Sequence, residues 1–377
     1  MAKQFTFSND NNLSLKYRPK LFKDLIGQDH IVSNLQAMVD TRKIHQSILF
    51  FGQSGNGKTS AARVLARYLN CQDLQKDEDG HSFPCGKCDS CTANFENHPD
   101  VLELNIAATG GKDDVKQLVR NAQLSPTFNF KVFILDEVHA LSGAAKETIL
   151  KPLEEPPART VWILCTTNPE KLTPTMRGRC RQLEVKPLDT VTCAKLLNRI
   201  AKREGVDSLS KEQFLTIARL TGAQPRAAIQ ALGAVLDNIK TIKSSSVEDL
   251  AVLIENVVAL PPYKAALSYL KALYSGKYKE AMLALESTDD KVPFAKIILE
   301  YHYKACRYHI DSSLRSKEYF DKLLYQELDQ HKLPMGSMSK IMTRLVQMNS
   351  LVREFEVDAT FVITAATMEI IESVKAK

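Results

Sequence analysis

Gly52-Gln53-Ser54-Gly55-Asn56-Gly57-Lys58-Thr59 fits the pattern G-x-x-x-x-G-K-[ST] at every fixed position, and no other stretch narrows the possible folds so far. Its flanks fit as well. Ser47-Ile48-Leu49-Phe50-Phe51 before it reads as a buried strand. Ser60 to Leu69 after it reads as a helix with Ala62, Leu65, Ala66 and Leu69 on one face. Strand, glycine loop and helix in that order predict an α/β domain with a phosphate site at the loop. Glycines permit a turn tight enough for successive N–H groups to point at one phosphate. The helix N-terminus adds partial positive charge. Residues from Gly52 to Ser60 are therefore expected to cradle a nucleotide, with Lys58 reaching the β- and γ-phosphates and the Thr59 hydroxyl holding Mg²⁺.

At 377 residues the chain is too long for one small core, so two or three domains are expected. Its 44% hydrophobic and 25% charged residues are ordinary for a soluble protein. No apolar run has the length of a membrane span. Met1 to Ser8 contains no apolar signal core, so a cytoplasmic location is expected. The net charge of +6 is compatible with a polyanionic partner without requiring one. Of eight cysteines, Cys71, Cys85, Cys88 and Cys91 crowd into one segment. Cys165, Cys180, Cys193 and Cys306 are scattered among apolar neighbours and read as packing residues.

Strands are expected at Val101–Asn105, Lys131–Leu135 and Thr160–Thr166, alternating with helices at 29–39, 112–121 and 144–153. That alternation implies a parallel sheet covered on both faces. Residues 71–99 interrupt it as an insert rich in Cys, Gly and Asp. After Pro187 the strands stop, and residues 190–238 read as three or four short helices. Lys240–Ser246 reads as a linker, followed by amphipathic helices such as Tyr263–Leu270. Residues up to about Asn12 are polar and expected to be loose.

Val132-Phe133-Ile134-Leu135-Asp136-Glu137 is an apolar strand ending in two acids. A carboxylate at the mouth of a parallel strand faces phosphates bound at a neighbouring strand's loop. Asp136 is expected to orient Mg²⁺ and its waters. Glu137 is placed to hydrogen-bond an attacking water, as phosphoryl transfer requires.

Cys85-Gly86-Lys87-Cys88-Asp89-Ser90-Cys91, with Cys71 upstream, offers four thiolates at metal-binding spacing. They would close a tetrahedral structural Zn²⁺ site with no position left for water. His81 and His98 are nearby substitutes as ligands. An iron–sulfur cluster, a disulfide pair and free thiols are the alternatives.

The series Asp136-Glu137-Val138-His139, Leu153-Glu154-Glu155-Pro156-Pro157, Thr166-Thr167-Asn168-Pro169-Glu170-Lys171-Leu172 and Arg177-Gly178-Arg179-Cys180 occurs in that order. It resembles the clamp-loader branch of the AAA+ ATPases, and most of all the bacterial DNA polymerase III gamma/tau family, from about Leu15 to Ala231. The resemblance implies an AAA+ α/β domain at 1–187 with a zinc-binding insert at 71–99. A small helical lid at 188–243 and a helical collar at 244–377 complete it. It implies an ATP-hydrolysing subunit that assembles with others in a pentamer and loads a sliding clamp onto primer–template DNA, with no membrane partner. Thr167, on a strand beside the acid-tipped one, matches sensor 1, which bonds the γ-phosphate or the water. Arg179 matches the arginine finger that reaches a neighbouring subunit's site, with Arg177 a nearby competitor. Gly178 stands where the family usually has Ser. Arg226 matches sensor 2. Tyr17, Arg18, Pro19 and Ile26 fall in segments that enclose adenine. The four-cysteine insert is a family module. Lys112, Lys116 and Lys151 match basic positions lining the family's DNA chamber, and Pro152 departs from the usual residue beside the last. A non-catalytic scaffold subunit of the same assembly, or another AAA+ DNA-remodelling ATPase, is the alternative.

Overall fold

The computed structural model describes residues 12–109, 111–241, 261–288, 291–311, 324–325, 329–331, 333–354 and 358–375. The chain divides into two compact units, Met1–Ala218 with Gly222–Gly233, and Arg219–Thr221 with Ala234–Lys377.

Seven strands are described in the first unit: β1 (Ser47–Phe51), β2 (Gln75–Lys76), β3 (Ser82–Phe83), β4 (Val101–Asn105), β5 (Lys131–Asp136), β6 (Thr160–Thr166) and β7 (Arg181–Glu184). Five of them form a parallel sheet in the order β4-β5-β6-β1-β7, and β2 and β3 make a small antiparallel pair inside the insert. The strand next to the glycine loop's own strand is therefore β6, not the acid-tipped β5. This corrects the expectation that the acids sit on a neighbouring strand. Register brings Phe51 opposite Thr166 and Leu135 opposite Leu164, so β1, β6 and β5 end along one edge of the sheet.

The period-2 alternation of strands sorts the core into two layers. Ile48, Phe50, Ile134 and Ile163 face Ile31 and Leu35 of α1 (Asp29–Asp40) and Ala62 and Leu65 of α2 (Lys58–Asn70). Leu49, Phe133, Leu135 and Trp162 face Val115 and Leu118 of α3 (Lys112–Ala122) and Ile149 of α4 (Gly143–Glu154). Trp162 stacks on Phe133 with ring centroids 4.6 Å apart. β7 lacks an apolar run, and only Leu183 of Arg181–Glu184 is buried. It is a strand because its backbone pairs with β1, which explains why its sequence does not announce it.

Helices α5 (Thr190–Arg203), α6 (Lys211–Leu220) and α7 (Pro225–Thr241) follow, and the division between the units falls within α7. The segment expected as a linker is helical through Thr241, and the rest of it lies outside the described residues, as do residues 1–11. The second unit is built of helices, including α8 (Pro261–Tyr274), α9 (Lys291–Ile310) and α10 (Met335–Glu354). In its core, Tyr274 bonds His302 Nδ1 at 2.8 Å while His302 Nε2 lies 3.0 Å from the Met338 carbonyl. Burial pushes His302 down to about 4, so it is neutral near pH 7. Among the described residues no helix is long and apolar enough to cross a membrane.

Candidate functional site

The glycine loop joins β1 to α2, with Gly57 as the helix N-cap at φ 102°. Gly52 has φ 141°, and a Cβ there would stand 2.3 Å from the Val185 carbonyl oxygen, so only glycine fits. Lys58 is 5% exposed, and its Nζ donates to the carbonyls of Gly52 at 2.9 Å and Gln53 at 3.0 Å. Burial lowers its pKa, and the nearby carboxylates of Glu137 and Asp136 oppose that shift. Asn56 is buried, and among the described residues neither of its amide atoms is hydrogen-bonded.

Thr59 Oγ1 donates to Asp136 Oδ2 at 2.7 Å, across the width of β6. The other oxygen, Asp136 Oδ1, accepts the Glu137 N–H at 3.0 Å. A hydroxyl and a carboxylate oxygen in contact form a hard donor set that suits Mg²⁺, which when bound would offset phosphate charge. Glu137 turns away from the strand end in a left-handed conformation, φ 52°. Thr167, one residue past β6, donates to Glu137 Oε2 at 3.2 Å. The intervening strand thus supplies the hydroxyl that meets the acid. His139 Nδ1 lies 3.3 Å from the same Oε2 and 3.0 Å from Thr166 Oγ1. Sequence reasoning assigned His139 no role. Its place two residues after Glu137 was the available signal.

A cavity of about 340 Å³ opens over the loop, and Tyr17, Arg18, Pro19, Ile26, Ser60 and Arg226 line it together with Ser54–Thr59, Asp136 and Glu137. Gly52, Gln53 and Thr167 do not line it; Gly52 and Gln53 instead hold Lys58 through their carbonyls. The Arg226 N–H donates to the Gly55 carbonyl at 3.4 Å, so the first turn of α7 rests on the loop. Burial and the neighbouring Arg63 lower the pKa of Arg18. The Tyr17 hydroxyl donates to Glu204 at 2.6 Å and is pushed up to about 12, first by burial and then by that carboxylate.

Arg179 is not at this cavity. Its Nε and Nη2 donate to Glu154 Oε2 at 2.9 and 2.6 Å, and its Nη1 donates to the Thr175 carbonyl. Arg177 is half-buried, as Arg179 is, and its buried Nε has no hydrogen-bond partner among the described residues. Lys112 and Lys116 on α3 and Lys151 on α4 are exposed, on two helices that pack together. Lys116 pairs with Asp113 at 3.2 Å.

The Sγ atoms of Cys71, Cys85, Cys88 and Cys91 lie within 4.8 Å of one another, and all four are free thiols. Cys71 is the C-cap of α2, so the cluster begins where the helix that follows the glycine loop ends. The Cys85 N–H points at Cys71 Sγ and the Cys88 N–H at Cys85 Sγ, as in turns that wrap sulfur. Backbone N–H groups of Lys87 and Cys88 lower Cys85 to about 7, whereas burial raises Cys71 and Cys91. His81 is instead held by Asp40 at 3.0 Å and His98 by Ser90 at 3.0 Å, so the histidines are not in the cluster. Four converging sulfurs suit a tetrahedral thiophilic ion.

The family described as DNA polymerase III, delta subunit, matches residues 27–189. The DNA polymerase III subunit gamma/tau of Mycobacterium bovis is 38% identical over 225 residues, 59% of this chain and 38% of that protein. The subunit tau/gamma of Haemophilus influenzae is 32% identical over 284 residues, covering 74% of this chain and 39% of its own length. The subunit tau of Escherichia coli is 38% identical over 197 residues, 52% of this chain and 30% of the relative. The chain therefore spans well under half the length of these curated relatives. Among solved structures, the Thermotoga maritima RuvB Holliday junction branch migration motor aligns with a TM-score of 0.50 at 16% identity, covering 88% of this chain and 90% of that one. At that identity the likeness concerns the fold alone.

Proposed function

We propose, for a chain that belongs over the region it shares with these relatives to the DNA polymerase III gamma/tau family, that it is an ATP-hydrolysing AAA+ subunit of a sliding-clamp loader. The observation that carries the reading is the meeting of Lys58, Thr59, Asp136, Glu137 and Thr167 at one edge of the sheet. Lys58 would exchange its loop carbonyls for the β- and γ-phosphates. Thr59 and Asp136 would hold Mg²⁺. Glu137 and Thr167 would orient the attacking water, and Arg226 would sense the γ-phosphate in cis. Tyr17, Arg18, Pro19 and Ile26 would enclose the base. A scaffold subunit needs none of these groups, and their joint presence favours the motor.

The rest of the reading extends from the same site. Arg179 would complete the site of a neighbouring subunit in a pentamer. Lys112, Lys116 and Lys151 would follow DNA phosphates, which predicts weak sequence preference and strong salt dependence. Residues 1–187, 188–243 and 244–377 would serve as nucleotide domain, lid and collar, in a cytoplasmic protein. ATP hydrolysis by this chain, assembled with its partner subunits, is expected to rise on adding primed DNA and the cognate clamp. Lys58→Ala is expected to abolish both binding and hydrolysis. An unchanged rate with DNA and clamp would sink the loader reading.

Cys71, Cys85, Cys88 and Cys91 would bind a structural Zn²⁺. Metal analysis of the purified chain is expected to find about one zinc per molecule. The double variant Cys85→Ser, Cys88→Ser is expected to lose it and to melt at a lower temperature, since zinc binding and folding are linked. Iron with visible absorption would instead favour a cluster.

A further inference from the structure

We propose that His139 sets the pose of the Glu137 carboxylate, acting as a positioning residue for hydrolysis. The inference rests on the hydrolase reading above. Oε2 of Glu137 is approached from two sides, by Thr167 Oγ1 at 3.2 Å and by His139 Nδ1 at 3.3 Å. Among the described residues no hydrogen bond reaches Oε1. One oxygen is anchored, and the other is left for the water.

The imidazole is itself located. Its Nδ1 stands 3.0 Å from Thr166 Oγ1, which also accepts the Asn168 N–H at 3.1 Å. Thr166 is fully buried at the end of β6. A carboxylate only accepts hydrogen bonds, so the contact with Oε2 is attractive when Nδ1 carries the proton. The backbone brings the two side chains together. Glu137 adopts a left-handed φ of 52°, and Val138–Ala140 forms a 3-10 turn closed by the Ala140 N–H on the Glu137 carbonyl at 2.9 Å. Non-glycine residues adopt such a φ mainly where surrounding structure enforces it.

In the hydrolytic step the water oxygen forms a bond to the γ-phosphorus. The bond from that phosphorus to the β–γ bridging oxygen breaks, and its electron pair leaves on ADP. One water proton passes to Oε1 of Glu137. The terminal torsion of a glutamate is broad, so a carboxylate tethered by Thr167 alone samples orientations that aim Oε1 elsewhere.

The test measures kcat and ATP affinity separately in the whole chain. His139→Ala is expected to lower kcat by about tenfold to a hundredfold, the scale of a misplaced reacting group. The dissociation constant of a fluorescent ATP analogue is expected to stay within about twofold, because His139 does not line the cavity. His139→Asn, whose amide nitrogen falls near Nδ1, is expected to restore most of the rate. A wild-type kcat in His139→Ala overturns the proposal, as does an equal loss of ATP affinity or a failure of Asn to restore rate. If His139→Ala does not fold, Asn is compared with His139→Gln, whose amide reaches the Nε2 position instead. Equal rates for those two overturn the proposal. Glu137→Gln separates the two readings. A wild-type chain that hydrolyses no ATP defeats the hydrolase reading itself, a wild-type rate in Glu137→Gln defeats the base role on which this inference rests, and a dead Glu137→Gln beside a normal His139→Ala defeats only this inference.

Discussion

Arg179→Ala is expected to leave ATP binding intact and to cut hydrolysis in the assembled complex by about 10³-fold or more, the effect of losing an arginine supplied in trans. The geometry gives the reason for both halves. Arg179 is absent from its own chain's cavity, so its loss removes no contact to the bound nucleotide. Its guanidinium is held at the end of α4 by Glu154, with two N–H groups on one carboxylate oxygen at 2.9 and 2.6 Å. Glu154 is 57% exposed at its side chain, so this pair is weak and solvent-screened, and a phosphate can displace it. Mixing decides between cis and trans action. Subunits carrying Arg179→Ala keep an intact nucleotide site, and subunits carrying Glu137→Gln keep an intact Arg179. A mixture is expected to hydrolyse ATP faster than either variant alone. Activity that falls to the mean of the two would show that no residue is shared.

Glu137→Gln is expected to bind ATP as tightly as the wild type and to lose hydrolysis by about 10²- to 10⁴-fold, the usual contribution of a positioned general base. The amide keeps the volume and can still accept a hydrogen bond from Thr167, but it cannot take the water's proton. Lys58→Ala differs in kind, because it removes a group that is expected to contact phosphate in the ground state. Nucleotide retained after rapid gel filtration, measured beside phosphate release, separates the two. Retention with negligible release is the expected pattern for Glu137→Gln. Loss of both in that variant would mean that the carboxylate serves binding, not chemistry.

Much of this site is legible in the chain because its parts are contiguous. Gly52–Thr59 carries its own turn glycines, its lysine and its hydroxyl, and the strand and helix around it follow from local apolar spacing. Cys85, Cys88 and Cys91 stand at a spacing that brings thiols together within one turn, and Cys71 joins them because α2 ends there. The strands β4, β5 and β6 are apolar enough to be read directly. β7 is not, since one buried leucine among four residues gives no pattern, and pairing with β1 alone makes it a strand.

Strand order is the larger omission. Nothing in the sequence of β6 says that it runs between β1 and β5, yet that position lets Thr167 reach Glu137 and Thr166 hold His139. The same holds for Arg179 and Glu154, which are joined only because α4 and the segment before β7 pack at one end of the sheet. Residue type and spacing over a few positions establish which groups are available: a glycine loop with its lysine and hydroxyl, two acids and four thiols. Hydrogen bonds act over about 3 Å, and residues far apart in the chain come that close only after folding. The tertiary structure therefore decided which oxygen of Glu137 is anchored, which has no hydrogen bond among the described residues, and which arginine stands away from its own chain's cavity.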